Sequence, residues 1–230
     1  MLLGHDETES FPPFLMTKRT KQRRRAALVA IATAVTGATT LLTTNTADAT
    51  VRTDSATVAG EAGRALDALE LWNTTNRPVH YVRFLRAREQ TAQLLAADLD
   101  ISGQALAADW AATEEPKQIA MLAALTQLGV PYRSIHSEEG VGFDCSGLMI
   151  WAFAQAGIEL PRISSDQISA AERIEPEQAE PGDLTYYPGH ISMYIGEGMM
   201  VHSPYTGSTV EVTAVPSRTS RWGDSMTVDE

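Results

Sequence analysis

The 230-residue chain contains one cysteine, Cys145. A lone cysteine cannot pair within its own chain, so it is either a buried, inert thiol or a reactive one. Its surroundings favour the second. Gly142-Phe143-Asp144 precedes it, Ser146-Gly147-Leu148 follows, and an apolar helical pattern of Leu148, Trp151 and Ala152 begins at once. Cys145 therefore falls at or near a helix N-terminus, where unpaired N–H groups and the helix dipole favour negative charge. Thiol pKa values fall at such positions and beside a protonated imidazole. The expectation is a low-pKa thiolate acting as nucleophile.

A thiol nucleophile needs a base, most often histidine. Of the five histidines, His5 lies in the N-terminal segment that reads as targeting sequence, His80 in a helical stretch and His136 in a Ser/Glu-rich loop that reads as solvated surface. His190 and His202 remain. His190 opens a strand, His190-Ile191-Ser192-Met193-Tyr194-Ile195; Gly196-Glu197-Gly198 offers a turn; Met199-Met200-Val201-His202 returns. The two histidines are twelve apart, centred on Gly196. In a hairpin with a three- or five-residue loop they lie opposite each other on one face. One ring can then fix the tautomer and orientation of the other, the part a carboxylate or amide plays in other triads. One Cys and two His also suit a catalytic zinc, but the spacing lacks a tight pair such as H-E-x-x-H or C-x-x-C. The reading adopted has no metal ligand and no cofactor.

The elements that must position these residues follow from composition and pattern. Hydrophobic residues make up 43% of the chain, enough for a globular core, and the net charge of −11 argues against a nucleic-acid partner. Lys18, Arg19, Lys21, Arg23, Arg24 and Arg25 cluster before an uncharged run, Ala26 to Leu42, and Ala47-Asp48-Ala49 follows. That order describes a secretory signal peptide over 1–49, with cleavage expected near Ala49 and a secreted or cell-envelope destination. An uncleaved anchor, giving N-terminal membrane association, is the alternative; the run is short for spanning ~30 Å of hydrocarbon. Residues 1–15 are acidic, which raises Met16 as the start of an ordinary leader. Residues 50–63 are small and polar and read as a linker. Residues 64–112 read as helices, with Leu66, Leu69 and Trp72 on one face, a break over Asn73 to Pro78, and Ser102 as an N-cap.

Residues 113–230 are mixed. Thr113 is placed to cap a helix that carries Pro116 in its first turn and stops at Gly129. A second helix runs from Cys145 to Ala156. After Pro181-Gly182 the pattern becomes strands at Leu184–Tyr187, Ile191–Ile195, Met199–Ser203 and Val210–Val215. Helices followed by consecutive strands predict an α+β fold with helices packed on an antiparallel sheet.

Six segments, in unbroken order over about 117–230, resemble the NlpC/P60 peptidases. They are Gly129-Val130-Pro131-Tyr132, Phe143-Asp144-Cys145-Ser146-Gly147-Leu148, Leu160-Pro161-Arg162-Ile163-Ser164, Pro181-Gly182-Asp183-Leu184, Gly189-His190-Ile191-Ser192-Met193-Tyr194-Ile195-Gly196 and Val201-His202-Ser203-Pro204. With a leader and an alanine-rich helical region in front, the arrangement resembles actinobacterial members. The resemblance implies a papain-like fold and cleavage of peptidoglycan stem peptides, usually between D-glutamate and a diamino acid such as meso-diaminopimelate. It implies Cys145 as nucleophile, His190 as base and His202 as the third polar residue. Tyr132 would stand beside the nucleophile, and Asp144, Ser146 and Arg162 would line or support the cleft. Simpler roles stay open: core packing for Tyr132, a surface ion pair for Arg162, a helix cap for Asp144. Two departures stand out. Arg133-Ser134-Ile135-His136-Ser137-Glu138-Glu139-Gly140 replaces the usual aromatic-Gly-Gly stretch, putting charge near the cleft. Ser192 stands where glycine is common, on the face of the histidines. The alternatives in function are an N-acetylmuramoyl-alanine amidase or acyltransferase on the same fold, and a non-catalytic wall-binding module. The helical region could be a lid, a spacer or an autoinhibitory segment.

Overall fold

Asp54 starts the first helix, its side chain accepting the N–H of Thr57 at 2.8 Å. The computed structural model describes residues 54–226; the leader or anchor expected over 1–49 lies outside them. Helix α1 runs Ser55–Thr75, α2 Pro78–Leu99, α3 Gly103–Ala112 and α4 Glu115–Thr126. The stretch 55–63, read from composition as linker, is therefore helical. Its small residues are a packing surface: Val58, Ala62, Ala65 and Leu69 recur at helical spacing and are buried. Asn76, left-handed at φ 50°, ends α1, and Pro78 at the next N-terminus starts α2. Ser102 caps α3 through the N–H of Ala105 at 3.1 Å. Thr113 does not cap α4. Its hydroxyl donates to the Asp109 carbonyl at 2.9 Å and closes α3 instead.

The helices belong to one hydrophobic core with the sheet. Trp110 of α3 is fully buried, and its indole N–H donates to the Ile195 carbonyl at 2.6 Å. Among the described residues no helix is long and apolar enough to cross a membrane.

Beyond α4, a two-stranded ribbon of β1 (Ser137–Glu138) and β2 (Gly142–Phe143) leads into α5 (Cys145–Gln155) and α6 (Ser164–Ala170). The main sheet comprises β3 (Glu172–Ile174), β4 (Leu184–Tyr187), β5 (His190–Gly196), β6 (Met199–His202), β7 (Glu211–Ala214) and β8 (Arg221–Asp224). Its order is β3-β8-β4-β5-β6-β7, antiparallel throughout. The fold is α+β, as expected. Leu148, Met149, Ala152 and Phe153 bury one side of α5, and Ile191, Met193 and Ile195 bury one side of β5. A charged cluster bolts the layers together. Lys117 of α4, 3% exposed, meets Asp183 at 2.6 Å and Asp224 of β8 at 3.0 Å. Burial opposes the ammonium charge there, but the two carboxylates more than offset it and raise its pKa.

Candidate active site

Asp144 is the N-cap of α5 and places Cys145 at the first helical position. Its Oδ1 accepts the N–H of Gly147 at 2.7 Å and its Oδ2 the N–H of Ile135 at 2.8 Å. Arg162 closes on the same carboxylate with Nη1 at 3.1 Å and Nη2 at 2.5 Å, and its Nη1 also donates to Ser146 Oγ at 2.7 Å. Burial opposes the charge on Asp144. The Arg162 hydrogen bonds, with the N–H groups of Gly147 and Ile135, still hold its carboxyl below the usual range. Asp144, Ser146 and Arg162 thus form one network around the helix start, in which Asp144 is both cap and ion-pair partner.

The 133–140 loop is tied to that network. The Asp144 N–H donates to the His136 carbonyl at 3.1 Å. Gly147 lets that carbonyl come close, since a Cβ there would stand 2.0 Å from the oxygen. His136 itself is exposed, its Nδ1 2.9 Å from the Ser134 carbonyl. Residues 129–132 run beside 208–210: Gly129 donates to Val210, Val210 to Val130, and Tyr132 to Ser208 at 2.9 Å. This holds Tyr132 near Cys145. Burial raises its phenol pKa, and the neighbouring Cys145 sulfur and Asp144 carboxylate add to the shift.

His190 and His202 come together, but by a different register from the one expected. The turn has two residues, Glu197 and Gly198, both at positive φ (49° and 72°), and pairs Gly196 with Met199. Continued, that register would set His202 opposite Met193, on the other face from His190. A bulge between Tyr194 and Gly196 shifts it, so that Tyr194 faces Met200 and Met193 faces Val201. His202 then falls opposite Ser192, diagonal to His190 on the same face. His190 Nε2 lies 2.9 Å from His202 Nδ1, with the rings near perpendicular at 81°. On its other side His202 Nε2 is 3.3 Å from Thr213 Oγ1 and 3.6 Å from Glu211 Oε1.

The thiol is half-buried, and the backbone N–H of Ile191, the residue after His190, is directed at it. Helix α5 packs on β5 at this point. His190 Nε2 is engaged by His202, so Nδ1 is the nitrogen that remains to take the thiol proton. Ser203 Oγ donates to the Phe143 carbonyl at 2.7 Å and ties the end of β6 to the segment leading into Cys145.

The expected low-pKa thiolate is not what the surroundings favour. Burial pushes the Cys145 thiol up, and the Asp144 carboxylate adds to it. The N–H groups of Ile191, Ser146 and Cys145 itself act in the opposite sense without offsetting these. Burial also lowers His190 and His202 to about 4, with Arg218 contributing to both and His190 to His202. These surroundings favour a neutral thiol and neutral imidazoles at neutral pH. Sequence reasoning missed Tyr187, whose ring stacks 5.0 Å from His190 at 30°, and Arg218, which lies over Tyr187. It also missed Ser203, although that residue sits within a quoted motif. Among the described residues no group of three or more His, Cys, Asp or Glu side chains is placed to hold a metal ion.

Comparison with known proteins gives these residues a context. Residues 129–228 match the NlpC/P60 family. The chain is 43% identical over 112 residues to the peptidoglycan endopeptidase RipA of Mycolicibacterium smegmatis, covering 42% of this chain and 22% of that protein. Among solved structures, the P60 domain of antigen MAP1204 from M. avium subspecies paratuberculosis is 30% identical, with a TM-score of 0.44, covering 50% of this chain and 97% of that one. RipD of Mycobacterium tuberculosis, described as a non-catalytic NlpC/p60 domain protein adapted to peptidoglycan binding, is 28% identical, with a TM-score of 0.44, covering 49% and 98%. The chain spans less than half the length of the curated relatives it matches, from 22% to 44% of the first six. The matched residues contain Cys145, His190 and His202, so that residues 129–228 form the part of the chain that matches the NlpC/P60 family.

Proposed function

We propose that the protein is an exported cysteine endopeptidase that hydrolyses peptidoglycan stem peptides at the bond between D-glutamate and a diamino acid. One observation carries this reading: Cys145 stands at the start of α5 against the first residues of β5, where His190 is braced by His202 at 2.9 Å. The similarity to proteins named peptidoglycan endopeptidases supports the substrate. The basic cluster and uncharged run at 18–42 support export.

Because thiol and imidazole are both neutral at rest, proton transfer accompanies attack. Cys145 Sγ bonds to the amide carbonyl carbon as its proton passes to His190 Nδ1, and the carbonyl electrons move to oxygen. The Cys145 and Ser146 N–H groups at the helix start are the donors for that oxyanion, since the Gly147 N–H is held by Asp144. Collapse breaks the C–N bond, and the leaving amine takes the proton from His190. Water, activated by the same ring, then releases the acyl group from sulfur. His202 orients His190 and shares the charge that it acquires. Asp144 and Arg162 hold the helix start, and Tyr132 walls the thiol.

Cys145→Ala tests the reading. Hydrolysis of purified peptidoglycan should fall roughly 10³-fold or more, with stability in urea changed by about 1 kcal/mol or less. Full activity in the folded variant would overturn the thiol mechanism, and an inactive wild-type protein would favour a wall-binding role.

A further inference from the structure

Two arginines border the site, and they are in different states. Arg162 is committed to Asp144 and Ser146. Arg218, in the connection between β7 and β8, is exposed. Its guanidinium lies 4.2 Å over the Tyr187 ring, and Nη2 donates to Tyr187 Oη at 2.9 Å. Among the described residues no carboxylate lies within ion-pair distance of it. Tyr187 in turn stacks on His190. Imidazole, phenol and guanidinium therefore adjoin in that order, ending in a cation with no ion-pair partner among the described residues.

A stacked guanidinium is fixed in orientation while most of its N–H groups still point outward, the arrangement that binds a carboxylate through two parallel hydrogen bonds. We infer that Arg218, held over the Tyr187 ring and tied to its hydroxyl beside His190, recognises a carboxylate on the residue at the amine side of the scissile bond. The side follows from the chemistry. The leaving amine collects its proton from His190, so the amine fragment must lie over the His190 end of the site. Arg218 is reached from His190 through Tyr187, whereas Arg162 lies on the Asp144 and Ser146 side of Cys145. The field of Arg218 also disfavours the imidazolium. A bound carboxylate would cancel that field when His190 must hold a proton. The other groups facing the ring are Tyr187 and His202, with Glu211 acting through His202.

The inference rests on the endopeptidase reading, and the experiment separates the two. Two D-glutamyl-diaminopimelate peptides are compared, identical except that the diaminopimelate carboxylates are free in one and amidated in the other. Wild-type kcat/KM should favour the free carboxylates roughly 10-fold or more. Arg218→Gln should lose that preference by slowing the carboxylate peptide alone, and Arg218→Lys should retain part of it. Equal slowing of both peptides in Arg218→Gln, or no preference in the wild type, overturns the assignment of Arg218 and leaves the endopeptidase intact. Cleavage of neither peptide by the wild type overturns both.

Discussion

His190 is buried against Tyr187 and His202, and burial favours its uncharged ring. Cys145 is subject to the same effect in the opposite chemical sense, since burial of a thiol favours its proton. In the proposed mechanism the proton therefore passes during attack, with no standing thiolate–imidazolium pair. Iodoacetamide should alkylate Cys145 at a rate that climbs with pH through the neutral range towards an ordinary thiol's limit. A rate already level at pH 5 would contradict this. The histidines also link stability to pH. Each has a folded pKa of about 4 against an ordinary value of 6.5, so the unfolded chain binds more protons between those values. Their contribution to stability is full above about 6.5 and is lost as pH falls towards about 4, which urea titrations at several pH values would read. His202→Ala should lower kcat roughly 10²-fold with little change in KM, because it removes orientation of the base without removing a substrate contact.

The β5–β6 hairpin shows what could and could not be read in advance. The pairing of His190 with His202 was legible because side-chain direction alternates along a strand and the two residues are an even number apart. The two-residue turn and the compensating bulge were not. Glu197 in a left-handed conformation is an uncommon choice, and a bulge leaves little mark on composition. Helix α5, read as Cys145 to Ala156 and observed as Cys145–Gln155 with Asp144 as its cap, was legible because its cap and its buried stripe are local features. The stacking of Tyr187 on His190 depends on the tight β4–β5 turn that sets them opposite each other, while the Ser203 tie to Phe143 and the approach of Arg218 join residues far apart in sequence, and nothing local announces them. The thiol pKa was misjudged for the same reason: the helix start is local, whereas burial is tertiary. Helices α1 to α3 were recognisable, but composition made the start of α1 look like a linker. Their docking argues against autoinhibition by removable coverage. Trp110 fills the interior beneath β5, and Leu106 packs where a side chain at Gly196 would stand, 3.0 Å away. A fragment of residues 113–230 should be less stable to urea than 54–230 and no more active. Higher activity in the shorter fragment would restore the autoinhibitory role.

At the scale of the whole molecule, one core and one buried ion cluster hold the helical layers to the sheet. Lys117 satisfies Asp183 and Asp224 from helix α4 while both it and Asp183 are nearly inaccessible. Lys117→Met leaves the Asp183 carboxyl buried without its cation and should cost about 3–5 kcal/mol in urea unfolding, with activity per folded molecule retained. Helix α5 packs against β5, which is where the proposed chemistry takes place. Arg162 with Asp144 on one side and Arg218 with Tyr187 on the other give the site two chemically distinct ends, suited to a substrate of defined direction. The most direct test of the central claim is digestion of purified peptidoglycan, with the new termini identified by mass spectrometry. The account predicts a free amine on the diamino acid and a free carboxyl on D-glutamate, both absent with Cys145→Ala. New termini between the amino sugar and the first alanine, or no new termini at all, would contradict it.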